Sequence, residues 1–531
     1  MISARLPAAL RRALAVGLAG LFLTLGSCAL GDVSFSQQAG RTENADQRMI
    51  SRVVERTYRA ISDRWIDAPD FRNYTTQALR AVAAVDGGLD IAEDERGVHL
   101  MRRGVLVAER PMPASPADAR AWSTLFSDLS ESMITASPTI GGTDQERLIK
   151  LTMDAITHQL DRNSRYSDPD DARDNRFMRD GAGGIGITLQ IEGEETVISA
   201  VQDGGPAERA GVKVGDRLVG VAGKRVTAQQ LREIVRDVRG PIGEPVVLTV
   251  LRPSDKRERD ISIVRDKVIP TTVAVAHRGN LLHVQLTGFN NATADAMRKA
   301  LRRAQETNGG QISGIILDMR GNPGGLLDQS VSVAELFIDS GLIATTNGRH
   351  PDSKQVFRSV GTAEFGNVPM VVVMNGRSAS AAEVLGAALQ ERGRAVIVGS
   401  VSYGKGSVQT VMRLPNGGEL VLTWSKLYGP SGITWNEVGL LPAVCASRYS
   451  AATDLDRQID SSIASWRDAN ARWHKSGHPT ALQIQQLRAV CAPVSDAADR
   501  DLELADRILR DQTLYARWVR VSTENVAERR Q

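Results

Sequence analysis

Between Ser313 and Lys405 apolar runs end in loops and pass into helices, and this pattern constrains the fold more than anything else in the chain. Ser313–Met319 reads as a buried strand, followed by Arg320-Gly321-Asn322-Pro323-Gly324-Gly325-Leu326 and then by a helical run over Leu326–Ile338. Val368–Met374 is a second apolar strand, and it enters Asn375-Gly376 and a serine-rich helix start. Another apolar stretch carries Lys405 between Gly404 and Gly406. Short apolar runs bounded by turn residues and alternating with helices imply an α/β core, with chemistry expected at the carboxyl ends of the strands.

Ser380 stands where the second strand gives way to its helix. Its hydroxyl would project from the sheet edge, near helix N–H groups that favour a negative oxygen. A plain helix cap, supplied by Ser378 or Ser380, is the competing reading. No Gly-x-Ser-x-Gly elbow surrounds Ser380, and none of the 7 histidines is near it in sequence. Lys405 changes the balance, because a lysine desolvated among apolar and glycine residues loses its charge more easily and can serve as a base. Gln409 follows four residues later; on an extended strand that even spacing would place it on the same face as Lys405, as an uncharged orienting group. As ordinary residues, Lys405 would be a solvated loop charge and Gln409 a polar strand residue. Oxyanion donors are expected from the backbone of Ala381 and from Gly324 or Gly325, which this reading does not separate. Glu383, one helical turn beyond Ser380, is expected to bond locally.

A chain of 531 residues is too long for one core. The expected domains are a helical N-terminal domain over 48–178, a β-rich insert over 179–266, the α/β core over 267–445 and a helical C-terminal region over 446–531. In the first, Met49, Val53, Val54, Tyr58 and Ile61 form a helical stripe, and 97–111 reads as an inset hairpin. The insert runs as short strands with glycine turns, broken by short helices at Pro206–Ala210 and Ala228–Val238. This order, with Gly184-Ile185-Gly186-Ile187 and Gly205–Gly223, resembles a PDZ domain. The resemblance implies that Gly184, Ile185, Gly186 and Ile187 bind a C-terminal carboxylate through converging N–H groups and hold an apolar side chain between the isoleucines.

The first residues stand apart. Arg5, Arg11 and Arg12 precede the apolar run Ala13–Leu25, a pattern of secretory signals and too short to span a bilayer. Leu25-Gly26-Ser27-Cys28 resembles a bacterial lipobox, so 1–27 is expected to be a lipoprotein signal, Cys28 the lipidation site and 28–47 a tether. With no Asp after Ala29, the resemblance implies the outer membrane and a periplasmic enzyme. Two cysteines remain, Cys445 and Cys491, expected to pair in an oxidising compartment. Neither has a partner at metal-ligand spacing, so no metal is expected. Net charge is +3, from 65 basic and 62 acidic residues, which leaves no surplus for nucleic acid.

Taken together, Ser378–Glu383, Tyr403–Gln409, Arg320–Leu327, Gly184–Ile187 and Leu160–Pro169 resemble, in order, the C-terminal processing peptidases, serine–lysine proteases with an inserted PDZ domain. The likeness covers roughly Gln145–Pro442. It implies a crotonase-like or ClpP-like βα spiral for the core, Ser380 as nucleophile, Lys405 as base, Gln409 as its partner and no cofactor. The implied partners are protein or peptide substrates with apolar C-termini, with an adaptor or scaffold lipoprotein as a further expectation. Ala382 stands where a further serine is common and Ala443 where an acid is common. Two rivals are an inert PDZ-based adaptor, against which the intact Ser380, Lys405 and Gln409 set argues, and a crotonase-like acyl enzyme, for which no coenzyme A site is evident.

Overall fold

The computed structural model describes residues 35–307, 309, 311–446, 455–477, 479–496 and 499–527. The chain divides into two compact units between Arg48 and Met49. Of the first unit, the described part is the opening of the helix Phe35–Arg64, so the tether expected over 28–47 is helical from Phe35 onward. The helical register of the Val53–Ile61 stripe continues upstream because no proline or glycine pair stops it. The expected signal segment and Cys28 lie outside the described residues.

The second unit begins with a helical layer. Val53, Val54, Tyr58 and Ile61 are fully buried, and Tyr58 packs on Phe71 with ring centroids 4.8 Å apart. Helices Phe71–Ala83, Ala119–Ala136 and Gln145–Thr157 each start at an aspartate, Asp70, Asp118 and Asp144, whose carboxylate accepts a first-turn N–H. Where a hairpin was expected there are three antiparallel strands, Leu89–Glu93, Gly97–Arg102 and Val105–Pro111. Leu414, Leu420 and Leu422 join this layer's core, so the N-terminal helices rest on the strand Glu419–Tyr428.

The β-rich insert has its own core, including Ile198, Leu218, Ile234 and Leu248. Its sheet runs in the order Arg257–Val264, Pro245–Arg252, Arg217–Val221, Glu195–Val201, Ile187–Glu192. Asp216 anchors the turn before Arg217–Val221, accepting from Arg252 at 2.8 and 2.7 Å and from the Lys213 N–H at 2.9 Å.

In the α/β core one sheet runs Val273–Arg278, Leu281–Leu286, Gly314–Asp318, Met370–Met374, Val396–Gly399, Val444–Cys445, antiparallel only in its first pair. Gly314–Asp318, Met370–Met374 and Val396–Gly399 are buried at every position, which is why they read as unbroken apolar runs. Each Val, Ile or Leu buried there contributes on the order of 1.5–3 kcal/mol. A second, antiparallel sheet holds Ser340–Asn347, Val356–Val360, Ser407–Arg413 and Glu419–Tyr428. C-terminal helices Leu455–Ser476, Ala481–Ala489, Asp499–Arg510 and Gln512–Ala527 complete the chain.

Candidate active site and tail-binding groove

Strand register places three loops together. Asp318 is opposite Val373, and Val373 is opposite Val398, so 319–326, 375–380 and 400–406 leave neighbouring parallel strands at the same edge. Ser380 is in the second loop, the oxyanion candidates are in the first and Lys405 is in the third. Adjacency of parallel strands, rather than sequence distance, brings them into one cleft.

Ser380 is the N-cap of the helix Ala381–Glu391 and has φ +56° and ψ −117°. A non-glycine residue in this region costs on the order of 1–3 kcal/mol and must be held by its surroundings. The elbow that no sequence signature announced is thus present as backbone strain. Ser378 is fully buried and its hydroxyl donates to Met319 O at 2.8 Å, so it staples loops and leaves the cap position to Ser380. Ala379 N–H donates to Asn322 O and Tyr403 N–H to Ser378 O, both at 2.9 Å. Gly324, with φ +101°, lies so close that a Cβ there would sit 2.8 Å from Ser380 Cβ.

The two candidate oxyanion glycines differ. Gly324 N–H donates to Asn322 Oδ1 at 2.9 Å. The N–H groups of Gly325 and Ala381 have no hydrogen-bond partner among the described residues. Ala381 is buried, where an N–H without a partner is rare, whereas Gly325 is exposed at the cleft; two unpaired donors beside Ser380 could receive a developing oxyanion. At the base of this loop Asp318 is held down to a pKa of about 2: burial pushes it up, and hydrogen bonds from His283 and Arg320 outweigh that.

Glu383 does far more than bond locally. Its fully buried carboxylate accepts from Ser380 N–H (2.8 Å), Gly404 N–H (2.7 Å), Lys405 N–H (2.9 Å) and Ser402 Oγ (2.5 Å). One side chain therefore fixes the backbones of Ser380 and Lys405 together. Burial raises its pKa above the ordinary carboxylate value, against the pull of these four donors.

Lys405 is held at both ends of its backbone, since its carbonyl accepts from Trp435 Nε1 at 3.3 Å. Its pKa is lowered, first by burial and then by the like charge of Arg165; Glu383 and Asp161 oppose the shift. No hydrogen bond joins Lys405 Nζ to Ser380 Oγ among the described residues. The argument that placed Gln409 on the lysine's strand face needs correction. Lys405 precedes the strand Ser407–Arg413, so strand alternation does not reach back to it; within the strand Ser407 and Gln409 share a face, and the extra residue at the register shift, Trp424, belongs to the partner strand. Gln409 Nε2 donates to Ser407 Oγ (2.8 Å) and Thr423 Oγ1 (3.2 Å), and no hydrogen bond joins Gln409 to Lys405 among the described residues. Asn163 Nδ2 meets the same Ser407 hydroxyl at 3.1 Å, so Leu160–Pro169 braces the strand that follows Lys405.

In the β-rich insert, Gly184 closes a short strand paired with Asp266–Val268. Ile185 is buried and its carbonyl accepts from Ala207 N–H, while Gly186, at φ +77°, accepts from Gln202 N–H, both at 2.8 Å. The N–H groups of Ile185 and Gly186 have no partner among the described residues. They open onto a groove of about 1360 Å³ between the strand Ile187–Glu192 and the helix Leu231–Val238, with Ile187, Leu189, Leu231 and Val235 in its lining. Its far wall is the core helix Thr293–Thr307.

Cys445 and Cys491 are joined by a disulfide. Among the described residues no group of three or more His, Cys, Asp or Glu side chains could hold a metal ion. Nor is any described helix long and apolar enough to cross a membrane. Sequence reasoning missed Trp435, the bridging role of Glu383 and the contacts of Arg488. Trp435 and Arg488 lie in no motif, and Glu383 closes the Ser378–Glu383 motif without that motif announcing its contacts; each acts through a contact made only by folding.

Comparison with known proteins gives the following. Residues 280–445 match the profile of peptidase family S41, and residues 197–252 match a PDZ domain. The chain is 36% identical over 325 residues to the Carboxy-terminal-processing protease of Bartonella bacilliformis, covering 60% of this chain and 74% of that protein. It is 32% identical over 305 residues to a Probable CtpA-like serine protease of Staphylococcus aureus, covering 57% of this chain and 60% of that protein. Among solved structures, the photosystem II D1 C-terminal processing protease aligns at 25% identity and TM-score 0.34, over 70% of this chain and 92% of that one.

Proposed function

This chain belongs to peptidase family S41, with the PDZ-bearing carboxy-terminal-processing proteases, and from that premise we propose that it is an exported endopeptidase that captures apolar C-terminal tails and cleaves the attached chain through Ser380 and Lys405. The observation that carries this reading is the strained Ser380 elbow, tied by Glu383 to a desolvated lysine.

Lys405, its pKa lowered by burial, takes the Ser380 hydroxyl proton in its unprotonated form as Oγ attacks the substrate carbonyl carbon. Negative charge on the carbonyl oxygen meets the N–H groups of Ala381 and Gly325, with Gly324 supplying the close approach rather than the donor. The lysine then protonates the leaving amine, and water attacks the acyl-enzyme with Lys405 again accepting the proton. Gln409 orients the lysine's side of the cleft through Ser407. In the groove, a tail's terminal carboxylate is received by the N–H groups of Ile185 and Gly186 and its last side chain by the apolar lining. Export and outer-membrane anchoring through Cys28 rest on the sequence of the first 28 residues; envelope proteins are the corresponding substrates.

Cleavage of an unstructured reporter peptide with an apolar C-terminus tests the mechanism. Ser380→Ala and Lys405→Ala should each lower kcat by about 10³-fold or more while still binding the tail. Turnover retained in either variant sinks the dyad, and a wild-type protein that binds tails without shortening them would instead be an adaptor.

A further inference from the structure

We propose that Arg488, outside the segment matched to the peptidase family, is a positioning residue for the Ser380–Lys405 pair; this rests on the dyad reading above. From the end of the helix Ala481–Ala489 its Nη1 reaches four carbonyls: Ser402 O (3.3 Å), Tyr403 O (3.4 Å), Glu437 O (3.2 Å) and Val438 O (2.9 Å). The first two immediately precede the Lys405 loop apex, and the other two follow Trp435, which holds the Lys405 carbonyl. The cation therefore ties together both segments that fix the lysine's backbone. It also sits within electrostatic reach of buried Glu383, the carboxylate that bridges Ser380 and Lys405. The chain just beyond it grips both loops: Cys491 O accepts from Val401 N–H (3.3 Å) and Val494 O from Gly376 N–H (2.7 Å). Ser495 O accepts from Asn375 Nδ2 at 3.0 Å. A C-terminal region without a motif is thus the outer support of the catalytic loops.

The test is the rate at which a fluorophosphonate probe phosphonylates Ser380, with fluoride leaving, read beside kcat, KM and Tm on the full chain. The rate and kcat should fall in the order Arg, Lys, Gln, by about tenfold for Arg488→Gln, with KM and Tm unchanged. A wild-type phosphonylation rate in R488Q overturns the proposal, as does a loss explained by a lower folded fraction. Should R488Q not fold, R488K decides: a wild-type rate at wild-type Tm overturns the proposal, and a reduced rate at wild-type Tm supports it. A wild-type protein that the probe does not label refutes the dyad reading instead.

A separate observation concerns the groove. On the helix Thr293–Thr307, outside the groove lining, Arg298 pairs with Asp295 and Glu364, and Arg302 pairs with Glu364. Lys299 and Arg303, one helical turn apart, are exposed, line the groove and make no ion pair among the described residues. Two other charges of the lining are already matched, Arg239 by Asp174 and Asp295 by Arg298; Asp203 adds one acidic group. We infer that the preferred tails carry an acidic side chain upstream of the apolar terminus, set against Lys299 and Arg303. Fluorescence anisotropy with the Ser380→Ala protein should show peptides with upstream Glu binding about 3–10-fold more tightly than Lys counterparts at low salt, narrowing at high salt. The double variant K299E/R303E should reverse the order. Equal binding of Glu and Lys peptides to the unmodified groove overturns the inference, whereas no binding of any tail overturns tail capture itself.

Discussion

Around Glu383, three backbone N–H groups and a hydroxyl converge on a carboxylate that the chain itself supplies, whereas the N–H groups of Ile185 and Gly186 find no acceptor within the described residues. The same chemistry, N–H groups aimed at one point, serves opposite ends in the two places. In the core the acceptor is resident, so the donors become a fixed frame that pays for the strained φ of Ser380. In the insert no resident acceptor is present among the described residues, and the donors sit on a glycine loop beside an open apolar groove, as the proposed tail capture requires. Catalysis needs atoms held before substrate arrives, and recognition needs donors left unsatisfied until it does.

Removing the resident acceptor should have the largest effect. In Glu383→Gln the amide can accept only through one oxygen, leaving buried N–H donors short of partners at roughly 1–3 kcal/mol each. Denaturant unfolding should register that loss, and kcat at a temperature where the variant is folded should drop by about 10²-fold. A variant with full kcat would show that the frame is not needed for alignment.

The recognition loop should respond differently. Alanine at Gly186 must adopt φ +77° with its Cβ 3.1 Å from the Gln202 side chain, a strain of roughly 1–2 kcal/mol for an L-residue. For a tailed peptide KM should rise by about tenfold with kcat nearly constant, and a peptide with a blocked C-terminus should be unaffected. An equal loss on both peptides would mean that the loop acts on the catalytic cleft rather than on the tail.

The smallest effect is electrostatic and concerns pH. Burial lowers the Lys405 pKa and the Arg165 charge lowers it further, so the unprotonated base is populated at lower pH than for a free lysine. Arg165→Gln removes one of these causes, so the pKa rises and the ascending limb of the kcat–pH profile moves to higher pH. A limb that stays in place would assign the lowering to burial alone.

Much of this was legible in the chain because it is local. The α/β alternation, the Arg320–Leu326 loop and the order of elements in the PDZ domain are carried by short periodicities and turn residues, which neighbouring residues impose on each other. Ser380 and Lys405 could be picked out by residue type at strand ends. Strand alternation could not relate Gln409 to Lys405, because the strand begins only at Ser407, and Gln409 bonds Ser407 and Thr423. The tether expected before Met49 proved helical from Phe35, since a polar segment with no proline and a single glycine, Gly40, satisfies helical geometry as readily as an extended one.

The sequence by itself determined which residues could do the chemistry and which backbone positions could be glycine-open. Only the tertiary structure decided that Glu383 joins the backbones of Ser380 and Lys405, that Gly325 rather than Gly324 keeps an N–H without a partner among the described residues, and that Arg488 contacts the lysine loop. Those outcomes depend on which strands become neighbours and where each hydrogen bond closes. A hydrogen bond is satisfied over a few ångströms in space, and its partners can stand a hundred residues apart in the chain.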